Sequence, residues 1–475
     1  MSEWKEIPLL APPYESAEEE QLDQWAATAV DLIPMMIEKR LQMIKRPGLL
    51  ELFDLNTNLG IDGLYWFDKQ NVALVVSAGR VWKITDPTGS RTELTGSTDL
   101  RISSPVSFAK DATKVVMANG GKMVHTNLST LTTMADVDAP TAVTHVADLD
   151  GYIIANEAGT GKARFSAIND MTGWTNLDFF SAESDPDDLL AMKVAFREII
   201  AIGNESVEFW ANDGVSPFSR IQGSAQPYGI SAPYSLAQVG NSWMWLSDRR
   251  KLVTMEGRQV VEVSTPYDRV IHSYPSVSDA VGYTVAIDGL PIYVLNFQSA
   301  RQTLAFNYVT KEWHKWGYWD SQRGHYQRYR GLSYCYAKAW NLHLVGDYAT
   351  GKVYVSRRGI YNDAGNPIRS LLRTGHLSHG ASFSKRSEIV RLRCKRGQGQ
   401  PNQIVPNIMM RRRVNGSGEW GQERWRNLGA IGEHDLHVEW RNNGVYKTCQ
   451  YEFSHSDNSD LVLIDGQERL TILGR

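Results

Sequence analysis

Residues 64–84 run Leu64-Tyr-Trp-Phe, Asp68-Lys-Gln-Asn71, Val72-Ala-Leu-Val-Val, Ala78-Gly79 and Val81-Trp-Lys-Ile. Apolar runs this short, rich in β-branched and aromatic side chains and separated by polar turn residues, are the pattern of consecutive strands joined by tight hairpins. The same unit recurs around Asp111, Asp150-Gly151, Phe196-Arg197, Gly240-Asn241, Asp288-Gly289 and Trp340-Asn341. Neighbouring hairpins lie roughly 40–50 residues apart, the blade period of a four-stranded β-propeller. About seven blade-like units are therefore expected in residues 60–357. Stacked sandwiches also produce periodic turns, but units of similar length without helical periodicity favour the propeller.

Outward from this region the pattern changes at both ends. Residues 1–59 read as an N-terminal arm. Ser16-Ala-Glu-Glu19 resembles a capping box, and Leu22, Trp25, Ala26, Ala29 and Val30 follow at helical spacing. Pro34 is expected to break that helix, and Pro47-Gly48 to close the arm as a turn. Residues 358–475 read as a small β-sandwich or barrel. Ile408–Val414 leads into the hairpin signal Asn415-Gly416. Strands are expected at His437–Trp440, Tyr446–Phe453 and Leu461–Ile464, with Asp465-Gly466 turning the chain into Leu470–Leu473.

The bulk properties agree with an all-β protein with sizeable cores. Of 475 residues, 42% are hydrophobic and 22% charged, with 15 Trp, 20 Tyr and 39 Gly. Rings pack well on pleated surfaces, and glycine supplies the turns. Met1–Lys5 carries Glu3 with no apolar core after it, so no secretory signal is expected. No apolar run approaches the roughly twenty residues of a membrane helix. Cys335, Cys394 and Cys449 lack metal or redox spacing and are expected as idle thiols. Net charge is −3 but unevenly spread. Residues 1–37 hold eight acids against Lys5, and residues 357–475 hold 19 Lys/Arg against 12 Asp/Glu. Such asymmetry suits charge-complementary contacts between subunits or with neighbours.

Motifs that carry chemistry are weak. Gly416-Ser-Gly418-Glu-Trp-Gly421 satisfies G-x-G-x-x-G, but a hairpin is expected where a dinucleotide site needs a strand followed by a helix. Gly159-Thr-Gly161-Lys162 lacks the earlier glycine and the hydroxyl of a phosphate loop, since Asn156 and Ala163 stand there. His376 with His379, and His434 with His437, are three apart; on strands such pairs face opposite ways. The run Glu183-Ser-Asp185-Pro-Asp187-Asp188 could pair carboxylates, as propeller glycosidases do, yet it lacks the alternation and glycine of a calcium loop. Trp313-His-Lys-Trp316-Gly-Tyr318-Trp319, near Arg323, Arg328 and Arg330, could stack bases or sugars, although such rings are usually buried. No catalytic, cofactor-binding or metal-ligating residue is nominated, and no cofactor.

Several segments together resemble the packaged-DNA stabilisation, or tail hub (nozzle), proteins of short-tailed, podovirus-type phages. They are Lys45-Arg-Pro47-Gly48-Leu49, Asp150-Gly-Tyr-Ile-Ile with Phe165–Asp170 and Trp174, and Ser181-Ala-Glu183-Ser-Asp185-Pro-Asp187. Ile202-Gly-Asn-Glu-Ser-Val-Glu208-Phe-Trp210 follows, then Gly223, Trp245-Leu246, Ser264-Thr-Pro266, and Trp420, Leu428-Gly429 and Trp440-Arg441. The resemblance is weakest between about Tyr274 and Gln400, and Asn442-Asn443-Gly444 departs from the family's last step. It implies a non-enzymatic virion protein of the tail, assembled in the host cytoplasm as a ring, a homo-hexamer, beneath the portal protein or an adaptor. Its implied partners are tail fibres or tailspikes and a tail needle or plug, with double-stranded DNA passing through and no stable membrane insertion. Two other readings stand beside it. One is a propeller enzyme degrading glycans, with Asp185 and Asp187 as its acids. The other is a receptor-binding propeller using Trp313–Trp319.

Overall fold

The computed structural model describes residues 2–10, 28–182, 187–214, 218–263, 265–380, 382–397, 405–430, 432–433 and 437–473. The chain divides into two units. One is Glu51–Arg301 with Arg330–Ser356; the other is Met1–Leu50 with Gln302–Tyr329 and Arg357–Arg475.

In the first unit each of the seven sequence hairpins opens a sheet. The pairs are Ile61–Phe67 with Val72–Ser77, Ser107–Lys110 with Val115–Ala118, and Val146–Leu149 with Tyr152–Asn156. Ala191–Ala195 pairs with Glu198–Ile202, Ala237–Val239 with Ser242–Leu246, Val281–Ile287 with Leu290–Phe297, and Gly331–Ala337 with Leu342–Asp347. Asp150-Gly151 and Asp288-Gly289 hold two successive residues at positive φ (51° and 89°; 51° and 78°), the geometry that matches the twist of a two-residue hairpin. Phe196 and Arg197 adopt it without glycine, at 52° and 63°. Arg197 is tied there by an ion pair to Asp150 at 2.9 Å.

The first five hairpins continue into four-stranded meanders in chain order. In the last blade, Lys352–Arg357 is followed in the sheet by Gly48–Asp54, so residues 51–54 supply the outer strand from the far end of the sequence. Cores lie between successive blades. Leu74 and Val76 meet Val115 and Met117, Val116 and Ala118 meet Ile153 and Ala155, Ile154 and Phe165 meet Ile199, and Ile200 and Phe209 meet Trp245 and Val253. Leu64, Trp66 and Val75 then pack with Cys335, Leu344 and Val353, joining the first blade to the last. The sheets form a closed ring, the β-propeller expected from the repeat.

The second unit is a two-sheet sandwich. In one sheet the order is Leu32–Ile37, Arg40–Lys45, Val462–Leu473, Ser384–Cys394 and His437–Tyr446, with Ser2–Ile7 also on Val462–Leu473. The other contains Gln302–Asn307, Glu312–Asp320, Thr28–Val30, Ser370–Arg373, Cys449–His455, Asn407–Val414 and Arg424–Asn427. Its core draws Leu32, Met43, Val390, Leu392 and Trp440 from the first sheet and Leu372, Ile408, Met410, Tyr451 and Phe453 from the second.

Several expectations need correction here. The arm helix from Ser16 through Trp25 and Ala26 lies outside the described residues, but its continuation at Ala29 and Val30 is strand, paired with Leu372 and Leu371. Pro34 breaks no helix. It sits in the edge strand Leu32–Ile37 opposite Met43, where a missing N–H is tolerated. Pro47-Gly48 is no turn either; Gly48 starts a strand and its N–H reaches the Ile360 carbonyl at 2.7 Å. Asp465-Gly466 does not reverse the chain, because Val462–Leu473 runs straight through it. Glycine suits that position because a Cβ would stand a tight 3.1 Å from that of Ile7 on the adjoining strand. Gln302–Tyr329 groups with the sandwich unit, and the ring unit starts at Glu51.

Candidate functional site

The first strands of the blades, or for the third and fifth blades the residues just before them, line one central cavity of about 240 Å³. Its wall includes Asp62, Phe108, His145, Lys193, Tyr234, Tyr283 and Tyr334. Burial pushes the Asp62 carboxyl up to about 7, against the backbone N–H groups of Ser103 and Ala78, which lower it. Its Oδ2 has no hydrogen-bond partner. Burial holds His145 down to about 3, with Lys193 adding to the effect, and the imidazole stacks on Tyr234 at 4.9 Å. Lys193 is lowered to about 8 by the same desolvation, opposed by Asp148. Charge at the ring centre is thus sparse and suppressed by burial.

The residues singled out in the sequence are spread over both units. Glu183–Pro186 lie outside the described residues. Asp187 acts as a turn acceptor, its Oδ2 receiving the Glu205 N–H at 2.9 Å. Gly159-Thr-Gly161 is the turn before Lys162–Phe165, closed by the Thr160 N–H on the Glu157 carbonyl at 3.1 Å. Trp313 and Trp316 are each 5% exposed, packed on Phe306 at 4.7 Å and Tyr329 at 5.0 Å. That burial removes both rings from any surface for stacking sugars. Trp319 lies under the Arg369 guanidinium at 4.3 Å. Arg330 pairs with Asp347 at 2.7 Å, and Arg323 is exposed. His379 meets the fully buried Glu468 at 3.0 Å, a carboxylate that also accepts from Tyr446 and Tyr451. His434 lies outside the described residues and His437 is exposed. All three cysteines are buried and none is in a disulfide among the described residues.

Two arginine sites of the sandwich unit escaped the sequence reading. The first is Arg46, 1% exposed, with all five N–H donors used. Nε donates to Asp31 Oδ1 at 2.6 Å, and Nη1 to Asp363 Oδ1 at 2.9 Å and the Pro47 carbonyl at 3.1 Å. Nη2 donates to Asp363 Oδ2 at 2.6 Å and the Gly317 carbonyl at 2.8 Å. The guanidinium lies 4.8 Å from the Tyr329 ring centre. Burial raises the Asp31 carboxyl to about 6 although Arg46 opposes it, so two carboxyls share one guanidinium and one of them holds protons more tightly than usual. The sequence signal was a charged Lys45-Arg46 pair within an apolar stretch.

The second site gathers around Trp420, in the loop that satisfied the dinucleotide pattern. Asn415 and Gly416 make the hairpin turn at φ 54° and 74°, and the Gly421 N–H returns to the Arg412 carbonyl at 2.8 Å. No helix follows, so the nucleotide reading fails. Instead Arg373, Arg411 and Arg413 stand 5.2, 5.1 and 4.9 Å from the Trp420 ring centre. A cavity of about 580 Å³ opens beside it, lined by Arg411, Arg412, Arg413, Arg424 and Glu419. Glu452, fully buried, takes Arg373 at 2.8 Å and Arg411 at 2.7 Å. Among the described residues Arg413 and Arg424 donate to neutral acceptors, Gln450 Oε1 at 2.6 Å for the first and Asn443 Oδ1 and the Arg441 carbonyl, both at 2.5 Å, for the second. Burial and neighbouring arginines lower the pKa of both. The sequence hint was the +7 balance of residues 357–475.

Seven hairpin-led blades packed in succession, the first against the last, define a β-propeller. The family model described as "Bacteriophage P22 Gp10, beta-propeller" matches residues 14–359. The chain belongs to that family of phage structural proteins, which stabilise packaged DNA, and is thus a virion component. No curated protein matches it. Among solved structures, a chain of the "Crystal Structure of Mitotic Checkpoint Complex" is 11% identical at TM-score 0.41, covering 69% of this chain and 97% of that one. BamB from Moraxella catarrhalis is 12% identical at TM-score 0.39, covering 70% and 98%.

Proposed function

We propose that this chain forms the tail hub or nozzle of a short-tailed phage: a ring, a homo-hexamer, below the portal or an adaptor. There it retains packaged DNA, anchors tail fibres or spikes, and contributes to the ejection channel, without making or breaking a bond. The observation that carries the reading is the family match over residues 14–359, and the propeller's mechanics agree with it. Radially packed blades protect their strand edges, giving a stiff wedge that resists edge-to-edge aggregation. Copies of such a wedge joined head to tail by heterologous contacts close into a ring when the rotation between them closes. A sparse, charge-suppressed centre also suits a body that need not grip DNA, because a dense row of cations would trap it. Cryo-microscopy of the tail complex tests the proposal: six copies beneath the portal are expected, and a tail without this chain would overturn it. A glycan-cleavage assay is expected to find no turnover. Cleavage lost in Asp187→Asn would establish the enzyme reading instead.

A further inference from the structure

The cavity beside Trp420 holds more positive charge than the described residues around it neutralise: four arginines line its wall, with Glu419 as the carboxylate among them. Glu452 is spent on Arg373 and Arg411, and Glu423 lies 4.0 Å from Arg411. Arg412, Arg413 and Arg424 line the cavity with no carboxylate within ion-pair distance among the described residues. Nη1 of Arg412 and Nη2 of Arg413 are buried without a hydrogen-bond partner, and Arg413 as a whole is only 6% exposed. Burying unpaired guanidinium donors is costly, so a built cluster of them implies an acceptor. Planar forks that use carboxylates bidentately, set round an indole wall, suit a peptide carrying several acidic side chains.

The same chain carries such a peptide. Residues 11–27 contain Glu15, Glu18, Glu19, Glu20 and Asp23 and no Lys or Arg. Thr28, which follows them, is paired across the sheet with Arg373, and the Arg373 guanidinium lies over Trp420. Asp23 is therefore five residues from a strand position beside the cluster, a reach of up to about 17 Å for extended chain. We propose that the Trp420 cavity is the docking site of the acidic stretch Glu15–Asp23 of its own chain. This inference does not rest on the hub reading.

The test uses the full chain with Glu15, Glu18, Glu19 and Glu20→Gln and Asp23→Asn, which would leave the cavity open. A fluorescent synthetic peptide of residues 11–27 is titrated by anisotropy at low salt. The neutralised chain is expected to bind it about ten-fold or more tighter than the parent, whose own segment competes, with binding weakened by salt. Arg412→Ala with Arg413→Ala in the neutralised chain is expected to lose about ten-fold or more. Trp420→Ala, at a half-buried position, gives the same reading should the arginine pair be needed for folding. Equal binding by parent and neutralised chains, or binding indifferent to these three residues, would overturn the proposal. So would a neutralised chain that ignores the peptide but takes a single-stranded oligonucleotide at this cavity.

Discussion

Arg46 and Arg413 are both buried in the sandwich unit, yet their surroundings treat them in opposite ways. Arg46 has two carboxylates, two carbonyls and every N–H satisfied. Arg413 has one amide oxygen, an indole face and other arginines. A saturated buried charge binds the strands of the fold to one another. An unsaturated one gathers potential that only something further can use. The contrast separates what holds this unit together from what it can offer a partner.

The largest expected effect lies at the saturated site. Arg46→Met leaves Asp31 and Asp363 facing each other without their cation and is expected to cost about 3–5 kcal/mol in urea unfolding; a loss below about 1 kcal/mol would break the contrast. Gly48→Ala, two residues on, sets a Cβ 2.2 Å from the Asn362 carbonyl oxygen. Overpacking of that kind is expected to cost about 1–3 kcal/mol. At the unsaturated site Trp420→Ala should cost only about 0.5–1 kcal/mol of stability, the scale of cation–π contacts, while removing the peptide binding described above. Stability falling as far as for Arg46→Met would make Trp420 a fold residue.

The smallest effect is a change of slope. Asp62 at the ring centre is unsaturated in the opposite sign, with its carboxyl at about 7 in the folded chain. A raised folded pKa means its contribution is fully present below the unfolded value near 4 and is lost as pH rises through 7. Asp62→Asn should therefore gain melting temperature over the parent progressively between pH 4 and pH 8. His145 changes in the opposite sense, its contribution present above about 6.5 and lost as pH falls toward 3, but it is common to both proteins. A constant offset across the range would mean that Asp62 titrates normally.

Which features could be read in advance follows from how locally each is determined. The seven hairpins were legible because their turns are local: Asp150-Gly151 and Asp288-Gly289 encode their own backbone conformation, and apolar flanks betray even Phe196-Arg197. Thr28–Val30 was not, because it is strand through pairing with Leu371–Arg373 on one side and Lys315 on the other, both nearly 300 residues away or more. Asp465-Gly466 carries a turn signature but serves a close approach by Ile7, again a distant partner. The arginine sites share that difficulty. Arg46 draws its carboxylates from Asp31 and Asp363, and the Trp420 cluster assembles Arg373 with Arg411–Arg413. Only the family resemblance pointed to function, because no motif of the sequence carried a complete catalytic spacing.

In the proposed role the propeller holds neighbouring tail proteins. Native mass spectrometry of the 53.4 kDa chain mixed with portal particles measures this directly. A complex carrying six copies is expected; free monomers beside an undecorated portal, and beside any adaptor supplied with it, would contradict the proposed role.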